Sequence, residues 1–440
     1  SLRMGWAVEQ IVGDRLSAGV LVSDRRHKVD VRSEIIIGGH PFPNEKSLAA
    51  GRRILDFAKK GKERRLIIVL ISGGGSALVE WPASPDMTLE DVAEVNRVLV
   101  RCGAPIREMN LVRKHMSAIK GGRLGQLLQG QECLALYISD VNSGDLLSIA
   151  SNPLLPEESN TDEFYEVVKR YDLVNKFPAA VSNLIRNRDI KALSFSTAVK
   201  GNLAKERGAG ESPGHTPDKG RAVHRLNRPV LPRATDVAQP TDWFECGTIT
   251  GKLLMDNRTA LDLAADAAKA AGFKPIVLPE LVESPYQDIA DAMIDRLIEV
   301  RRQGVGQGET GAVCLISGGE VACPVNGAGT GGRNQEFVLY SAAKLASRLS
   351  VQNVCIVSLG TDGIDGNSPA AGAISDPRMI GIQSQAGLDP DDFIARNDSF
   401  SFFRVGGGLI VTGPTGNNVR DLRMLLSSEP ETEPETERES

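Results

Sequence analysis

Aromatic side chains supply only 5% of the 440 residues, whereas glycine occurs 45 times. That balance argues against an antiparallel β-sandwich and for an α/β protein with many tight strand-to-helix turns. No stretch approaches the roughly 20 apolar residues of a membrane span, so the sequence reads as a soluble protein. The six cysteines show no CxxC spacing and several sit in apolar runs, which suits reduced thiols in a reducing compartment. None of the five histidines is paired at zinc-ligand spacing, which argues against a structural zinc site. Net charge is −5, and the last fourteen residues carry all of it, with six glutamates against Arg438. The body is thus neutral and has no basic stripe, which argues against nucleic acid as a partner. The Glu-Pro-Thr tail, 427–440, lacks apolar residues to bury and reads as disordered.

What is present is a βα rhythm. Met4–Val12 looks like the end of a helix and Gly19–Val22 like a strand. Leu66–Ile71 is a continuous apolar run that ends in Ser72-Gly73-Gly74-Gly75-Ser76. Thr88–Leu99 reads as a helix capped by Thr88. Leu111–Leu128 reads as a further helix interrupted at Gly121-Gly122, and Cys133–Ile138 as a buried strand ending in Ser139-Asp140. Strands alternating with helices predict a parallel sheet covered on both faces. From 196 to 243 the pattern fails in Gly-, Pro- and polar-rich sequence, which reads as an insertion or linker. The rhythm then restarts: helices over Thr259–Ala271, Ile289–Arg302 and Phe337–Leu349, and strands over Pro275–Leu278, Val313–Ile316 and Val354–Leu359. Two domains follow, 1–245 and 246–426, with the tail beyond.

Open α/β sheets bind ligands past the C-terminal ends of their strands. Four polar, Gly-rich stretches lie there: Ser72–Ser76, Ser139–Asp145, Ser317–Glu320 and Gly360–Gly366. The first can wrap an anion with backbone amides or serve only as a tight turn. It is not a Walker A motif. Arg113-Lys114-His115 and Lys120-Gly121-Gly122-Arg123 gather four cations, either a phosphate contact through Lys120 or a solvated helix face. Gly327–Gly332 leads into Arg333-Asn334-Gln335-Glu336, where Asn334 and Glu336 either cap a helix or meet a substrate. Arg333 brings a planar fork suited to a carboxylate or a phosphoryl group. Asp362 and Asp365 follow a buried strand and either hold Mg²⁺, accept a hydroxyl proton or make Asx turns; Asp140 and Asp145 offer the same choice.

Along nearly its whole length the chain resembles the class II glycerate kinases, whose C-terminal module is called MOFRL. The resemblance is carried by GHPFPNEKS (39–47), LISGGGSAL (70–78), NLVRKHMSAIKGGRL (110–124), YISDV (137–141), LISGGE (315–320), GGRNQE (331–336), GTDGIDG (360–366), AAGA (370–373), NDSFSFF (397–403) and VTGPTGNNVRDLR (411–423). It implies a Rossmann-like N-terminal domain and a three-layer α/β/α C-terminal domain with an active site in the cleft between them. It also implies ATP and Mg²⁺ as cofactors and D-glycerate as substrate, with 2-phosphoglycerate the usual product. By motif, Arg333 and Asp362 become the catalytic candidates and Ser72, Gly73, Gly74, Gly75, Ser76 and Lys120 the nucleotide-phosphate site. Asn334 and Glu336 become substrate contacts, and Asp362 and Asp140 the metal ligands.

Two departures accompany the match. The family's Gly-Lys-Ala lysine, taken as catalytic, aligns just before Ser1. The family's Ser-Gly-Pro reads Ser151-Asn152-Pro153, with the preceding acidic pair reduced to Gly144-Asp145. The first keeps open a truncated or paralogous chain that binds nucleotide without turnover. Hydroxypyruvate reductase is the other alternative and would require a dinucleotide fingerprint, which follows no predicted strand. A cytoplasmic location, with a mitochondrial one as the alternative, completes the expectations; oligomeric state has no signal.

Overall fold

The computed structural model describes residues 2–25, 29–40, 42–59, 65–141, 145–155, 161–187, 243–279, 284–306, 311–347 and 353–428. The insertion expected over 196–243 therefore lies outside the described residues up to 242, as do Gly144 and the acidic tail from 429. The chain separates into two compact units, Ser1–Tyr137 with Gly144–Leu254, and Ile138–Ser143 with Met255–Ser440.

In the N-terminal unit, β1 (Val20–Ser23) pairs in parallel with β2 (Glu34–Ile37). A second sheet has the order β3 (Leu66–Ile71), β4 (Glu132–Ile138), β6 (Ile249–Met255), β5 (Trp243–Cys246). β3 and β4 run parallel, and β5 closes the edge as an antiparallel hairpin partner of β6. Beside the strands lies a helical core that packs Val92, Val95 and Leu99 against Leu111, Val112, Phe164 and Val181. Thr88 and Asp91 form a reciprocal capping box that starts the helix Leu89–Arg101. The single helix expected over Leu111–Leu128 is two, Ile106–His115 and Arg123–Leu127. Gly121 (φ 62°) and Gly122 (φ 78°) stand between them, and two successive left-handed residues cannot continue a right-handed helix.

The C-terminal unit holds a six-stranded sheet, ordered β11 (Leu409–Ile410), β10 (Gly372–Ser375), β9 (Val354–Gly360), β12 (Asp421–Ser427), β8 (Val313–Ser317), β7 (Lys274–Val277). Only β7 and β8 are parallel; β12 enters antiparallel between β8 and β9. The sheet is thus mixed rather than parallel, because the last strand of the unit returns through its centre. The apolar run of β8 is explained by burial on two faces. Val313 and Leu315 face the helices Tyr286–Gly306 and Arg333–Ala346, while Cys314 and Ile316 face Leu261 and Ala268 of the helix Asn257–Ala270. That is the three-layer arrangement. No cysteine is bonded, and burial pushes the Cys133 and Cys314 thiols up to about 11, so they act as small hydrophobes. Among the described residues, no helix is long and apolar enough to cross a membrane.

Candidate functional site

In the C-terminal unit, β8 and β9 end where β12 begins, and this sheet edge collects the charges. The register sets Asp421 opposite Gly360 and Arg423 opposite Ser317. Arg333, the first residue of the helix Arg333–Ala346, donates from Nε and Nη2 to Asp421 at 2.6 and 2.9 Å, and from Nη2 to Glu320 at 2.9 Å. Nη1 is the guanidinium nitrogen left without an acceptor among the described residues. Burial opposes the Arg333 charge, but the Asp421 fork and the nearby Glu320 and Asp365 outweigh it and raise the guanidinium above its ordinary value. Arg423, fully buried, donates from Nη1 to Asp421 Oδ2 at 3.4 Å, the oxygen that also accepts from Arg333 Nε, and to the Gly318 carbonyl. Burial pulls it down to about 10, with Arg333 and Arg420 acting in the same sense and Asp421 against them.

The helix N-terminus at Arg333 does hold an anion, and it is the protein's own. Asp365 is 2% exposed and accepts from the amides and side chains of both Asn334 and Gln335 at 2.9–3.1 Å. Asn334 also reaches Asp421 at 3.1 Å and accepts from Ser358. Ahead of it, the amides of Asn326 and Gly327 donate to Asn397 Oδ1, Gly329 to the Arg396 carbonyl, Thr330 to Asp398 and Gly331 to Asn367. Gly327–Gly332 spaces its glycines as a dinucleotide loop does, yet these amides are already bound within the fold.

Asp362 sits half-buried past the end of β9. Its Oδ1 accepts from the Ile364 amide at 3.1 Å, and Oδ2 has no partner among the described residues. A Cβ on Gly360 would lie 3.0 Å from Asp362 Oδ1 and 3.7 Å from Asp421 Oδ1, so two carboxylates converge over that glycine. Asp140 lies just past β4 and belongs to the same unit. Among the described residues no three carboxylate, His or Cys side chains gather at metal-ligand spacing. A Mg²⁺ ion bound through one or two carboxylates, with nucleotide phosphates completing its shell, needs no such group.

Glu336 is buried beneath the helix, with Tyr286 Oη 3.4 Å away. Burial pushes its carboxyl up to about 7, against the pull of Ser399 and Tyr286. Its ordinary value is 4.5, so between about pH 4.5 and 7 the folded chain keeps a proton that the unfolded chain has lost. Stability then falls as pH rises through that window, by up to about 1.4 kcal/mol per pH unit. Urea unfolding at pH 5 and pH 7 should show this slope in the native protein and lose most of it in Glu336→Gln. Equal slopes would remove Glu336 as the cause.

The N-terminal unit holds a second cluster. Gly74 (φ 78°) turns the chain into the short helix Gly75–Leu78, and its missing Cβ leaves room for the His40 ring. Among the described residues nothing accepts from the amides of Gly73, Gly74, Gly75 or Ser76. The Ser76 hydroxyl meets that of Ser151 at 2.7 Å. A cavity of about 190 Å³ opens here, with Ser76, Glu80, Asn96, Arg113, Lys120 and Ser151 on its walls. Lys120 is nearly buried and ion-paired with Glu80, whose other oxygen accepts from the Trp81 amide at 3.0 Å. Ser76 and Lys120, two of the expected phosphate contacts, thus share one cavity. Asn152, which replaces the family's glycine, adopts φ 51°; after glycine, asparagine tolerates that left-handed region best.

Sequence reasoning passed over Asp421, Arg423 and Glu80. The available signal was in β12, where Asp421 and Arg423 occupy alternate positions of the buried face of DLRMLLS. Two charges on the inward side of a strand require partners there.

Comparison with known proteins gives two family matches, a domain of unknown function (DUF4147) over residues 1–186 and the MOFRL family over 313–421. A protein of Agrobacterium vitis named putative hydroxypyruvate reductase is 33% identical over 97% of this chain and 96% of its own length. The D-glycerate 2-kinase of Thermotoga maritima is 30% identical over 96% of this chain and 87% of its own. The crystal structure of the glycerate kinase of Thermotoga maritima superposes with a TM-score of 0.75 at 29% identity, covering 97% of this chain and 88% of that one.

Proposed function

The chain belongs to the MOFRL-bearing glycerate 2-kinase family, and on that premise we propose that it transfers the terminal phosphoryl group of ATP to D-glycerate, giving 2-phosphoglycerate. The carrying observation is the sheet edge at Gly360, where Asp362, past the end of β9, and Asp421, held by Arg333 from its helix N-terminus, converge in the C-terminal unit. Phosphoryl transfer asks little covalent chemistry of a protein and a great deal of positioning and charge. Arg333 supplies the charge: its Nε–Nη2 edge is anchored on Asp421, and Nη1 remains to meet an oxygen of the transferring group or of the substrate carboxylate. Asp362 offers Oδ2 either as acceptor for the substrate hydroxyl proton or as a Mg²⁺ ligand, with Asp140 as a further carboxylate. When bound, Mg²⁺ would neutralise charge on the nucleotide phosphates. The amides of Gly73–Ser76 supply donors for phosphate oxygens, as glycine-rich turns do where nothing else occupies them.

The reductase name carried by the Agrobacterium vitis relative finds less support. A dinucleotide loop needs free amides for the pyrophosphate, and the amides of Gly327, Gly329, Thr330 and Gly331, in a stretch with that glycine spacing, are engaged with Asn397, Arg396, Asp398 and Asn367. Phosphorus NMR of a reaction with ATP and D-glycerate is expected to show 2-phosphoglycerate. A 3-phosphoglycerate resonance alone would overturn the regiochemistry, and no phosphoglycerate at all would overturn the reading.

A further inference from the structure

We propose that Arg113, with the hydroxyls of Ser76 and Ser151, forms an oxyanion site inside the N-terminal unit, taking either the carboxylate of the hydroxy acid or a phosphate of the nucleotide. The kinase reading supplies the identity of the two anions; the site itself rests on charge and geometry.

Arg113 stands in the last turn of the helix Ile106–His115 and lines the cavity at Ser76. Its Nε donates to Asn96 Oδ1 at 2.8 Å and Nη1 to Asn110 Oδ1 at 3.2 Å, both neutral amide oxygens. Among the described residues no carboxylate pairs with it, and Nη2 has no acceptor. Arg333 and Arg423, the other enclosed arginines of the clusters above, both lie against Asp421. Among the described residues the one carboxylate on the cavity wall is Glu80, and Lys120 already neutralises it. Two cations and one anion leave an uncompensated positive charge in a part-buried hollow. Burial accordingly pulls the Arg113 guanidinium below its ordinary value, with no opposing charge to restore it. A charge kept from water without a counterion is costly, and a bound anion removes that cost. Asn96 and Asn110 hold the guanidinium plane, so its free edge is oriented before any ligand arrives.

The opposite wall is strained in a way that serves the same end. Ala150, Ser151 and Asn152 all have positive φ (50°, 58° and 51°), three successive non-glycine residues in the left-handed region. That region is costly for side chains with a Cβ, and such strain persists where the surroundings fix it, often at binding sites. Here the amides of Gly121 and Gly122 donate to the carbonyls of Ser151 and Asn152, and Ala150 fills the space that a side chain on Gly75 would need. The result places the Ser151 hydroxyl on Ser76 at the cavity wall. Val95 and Met116 line the rest, against which a carbon skeleton can lie. At roughly 30 Å³ per water, the cavity's about 190 Å³ admits an anion of a few heavy atoms.

Isothermal titration of the full chain with D-glycerate, ATP and inorganic phosphate, each alone, tests the site in the native protein, Arg113→Ala and Arg113→Lys. Charge-assisted hydrogen bonds predict a loss of about 10- to 100-fold in Arg113→Ala. Loss confined to D-glycerate identifies the carboxylate; loss confined to ATP and phosphate identifies the phosphate. Arg113→Lys keeps the charge but not the fork, should lose less, and reads the same contact if the alanine variant fails to fold. Unchanged affinity for all three ligands in a folded variant overturns the site, as does failure of the native protein to bind any of them. Arg113-dependent phosphate binding by a protein that makes no phosphoglycerate keeps the site and removes the kinase reading. Normal binding and turnover in Arg113→Ala removes the site and keeps the reading.

Discussion

Asp421→Ala is expected to destabilise the C-terminal unit by about 3–5 kcal/mol, the range seen when one member of a buried ion pair is removed. Asp421 is fully buried against two guanidiniums, Arg333 on both of its oxygens and Arg423 on Oδ2, and it also accepts from Asn334. Arg423 has no exposure at all, and its remaining named partner is the Gly318 carbonyl. Without Asp421, that guanidinium keeps its charge in the core with one carbonyl to answer it. A loss of this size is a large share of the roughly 5–15 kcal/mol that holds a typical protein folded. Asp421→Asn, which keeps shape and one acceptor, should lose less. All three tryptophans (Trp6, Trp81 and Trp243) lie in the N-terminal unit, so tryptophan emission is a poor reporter of the event. Amide exchange along β12 and its neighbours β8 and β9 reads it directly, since those strands should report the free energy of opening the sheet. Exchange slowed as in the native protein in Asp421→Ala would show that the two arginines find other partners and that the pair does not hold the sheet edge.

How much of this was legible in the sequence depends on distance along the chain. β3 and β8 announce themselves because burial on two faces leaves an unbroken apolar run, and the glycines after β3 mark a turn that L-residues cannot make. The helix Arg333–Ala346 shows in its apolar period, though its true first residue, Arg333, was hidden among glycines and polar residues. β12 could not be placed by reading. Its seven residues carry no record that they enter between β8 and β9 in the reverse direction, a choice made by packing across the sixty residues that separate β12 from β9. The same holds for the ion pairs: Lys120 finds Glu80 forty residues away, and Arg333 finds Asp421 at a separation of 88. Local pattern finds which residues are charged and which strand ends they follow, while the partner of each charge is a tertiary fact. That difference changes the meaning of Gly327–Gly332. In sequence it is a glycine loop leading to a helix that attracts anions; in the fold, Asp365 is the anion. The turn at Ser72–Ser76 has a similar composition, but the amides of Gly73–Ser76 have no acceptor among the described residues, and only the comparison of the two separates a ligand loop from a structural one.

Asp362→Asn is expected to lower kcat by about 10²–10⁴-fold, the loss usual for a general base, while the fold is retained. The geometry separates the two halves of the carboxylate. Oδ1 is committed to the Ile364 amide and closes an Asx turn, a bond the asparagine oxygen can make equally well. Oδ2 is the half without a partner among the described residues, and the substitution turns it into an NH₂ donor. The loop around it is braced independently of the charge. The Thr415 amide donates to the Asp362 carbonyl at 2.9 Å and the Thr415 hydroxyl to that of Thr361 at 2.6 Å. Gly363, at φ 86°, lies so close to the Gly413 carbonyl that a Cβ would come within 2.1 Å of it. A charge removed from so fixed a frame should therefore affect chemistry far more than stability. The two roles open to Oδ2 separate in the dependence on Mg²⁺. If Asp362 is a metal ligand, raising Mg²⁺ should recover part of the lost rate, since weaker binding is offset by mass action. If it accepts the hydroxyl proton, excess Mg²⁺ should change nothing. A variant with kcat within a few-fold of native at any Mg²⁺ concentration would reduce Asp362 to its Asx turn. The phosphoryl-transfer site would then have to be sought away from the end of β9.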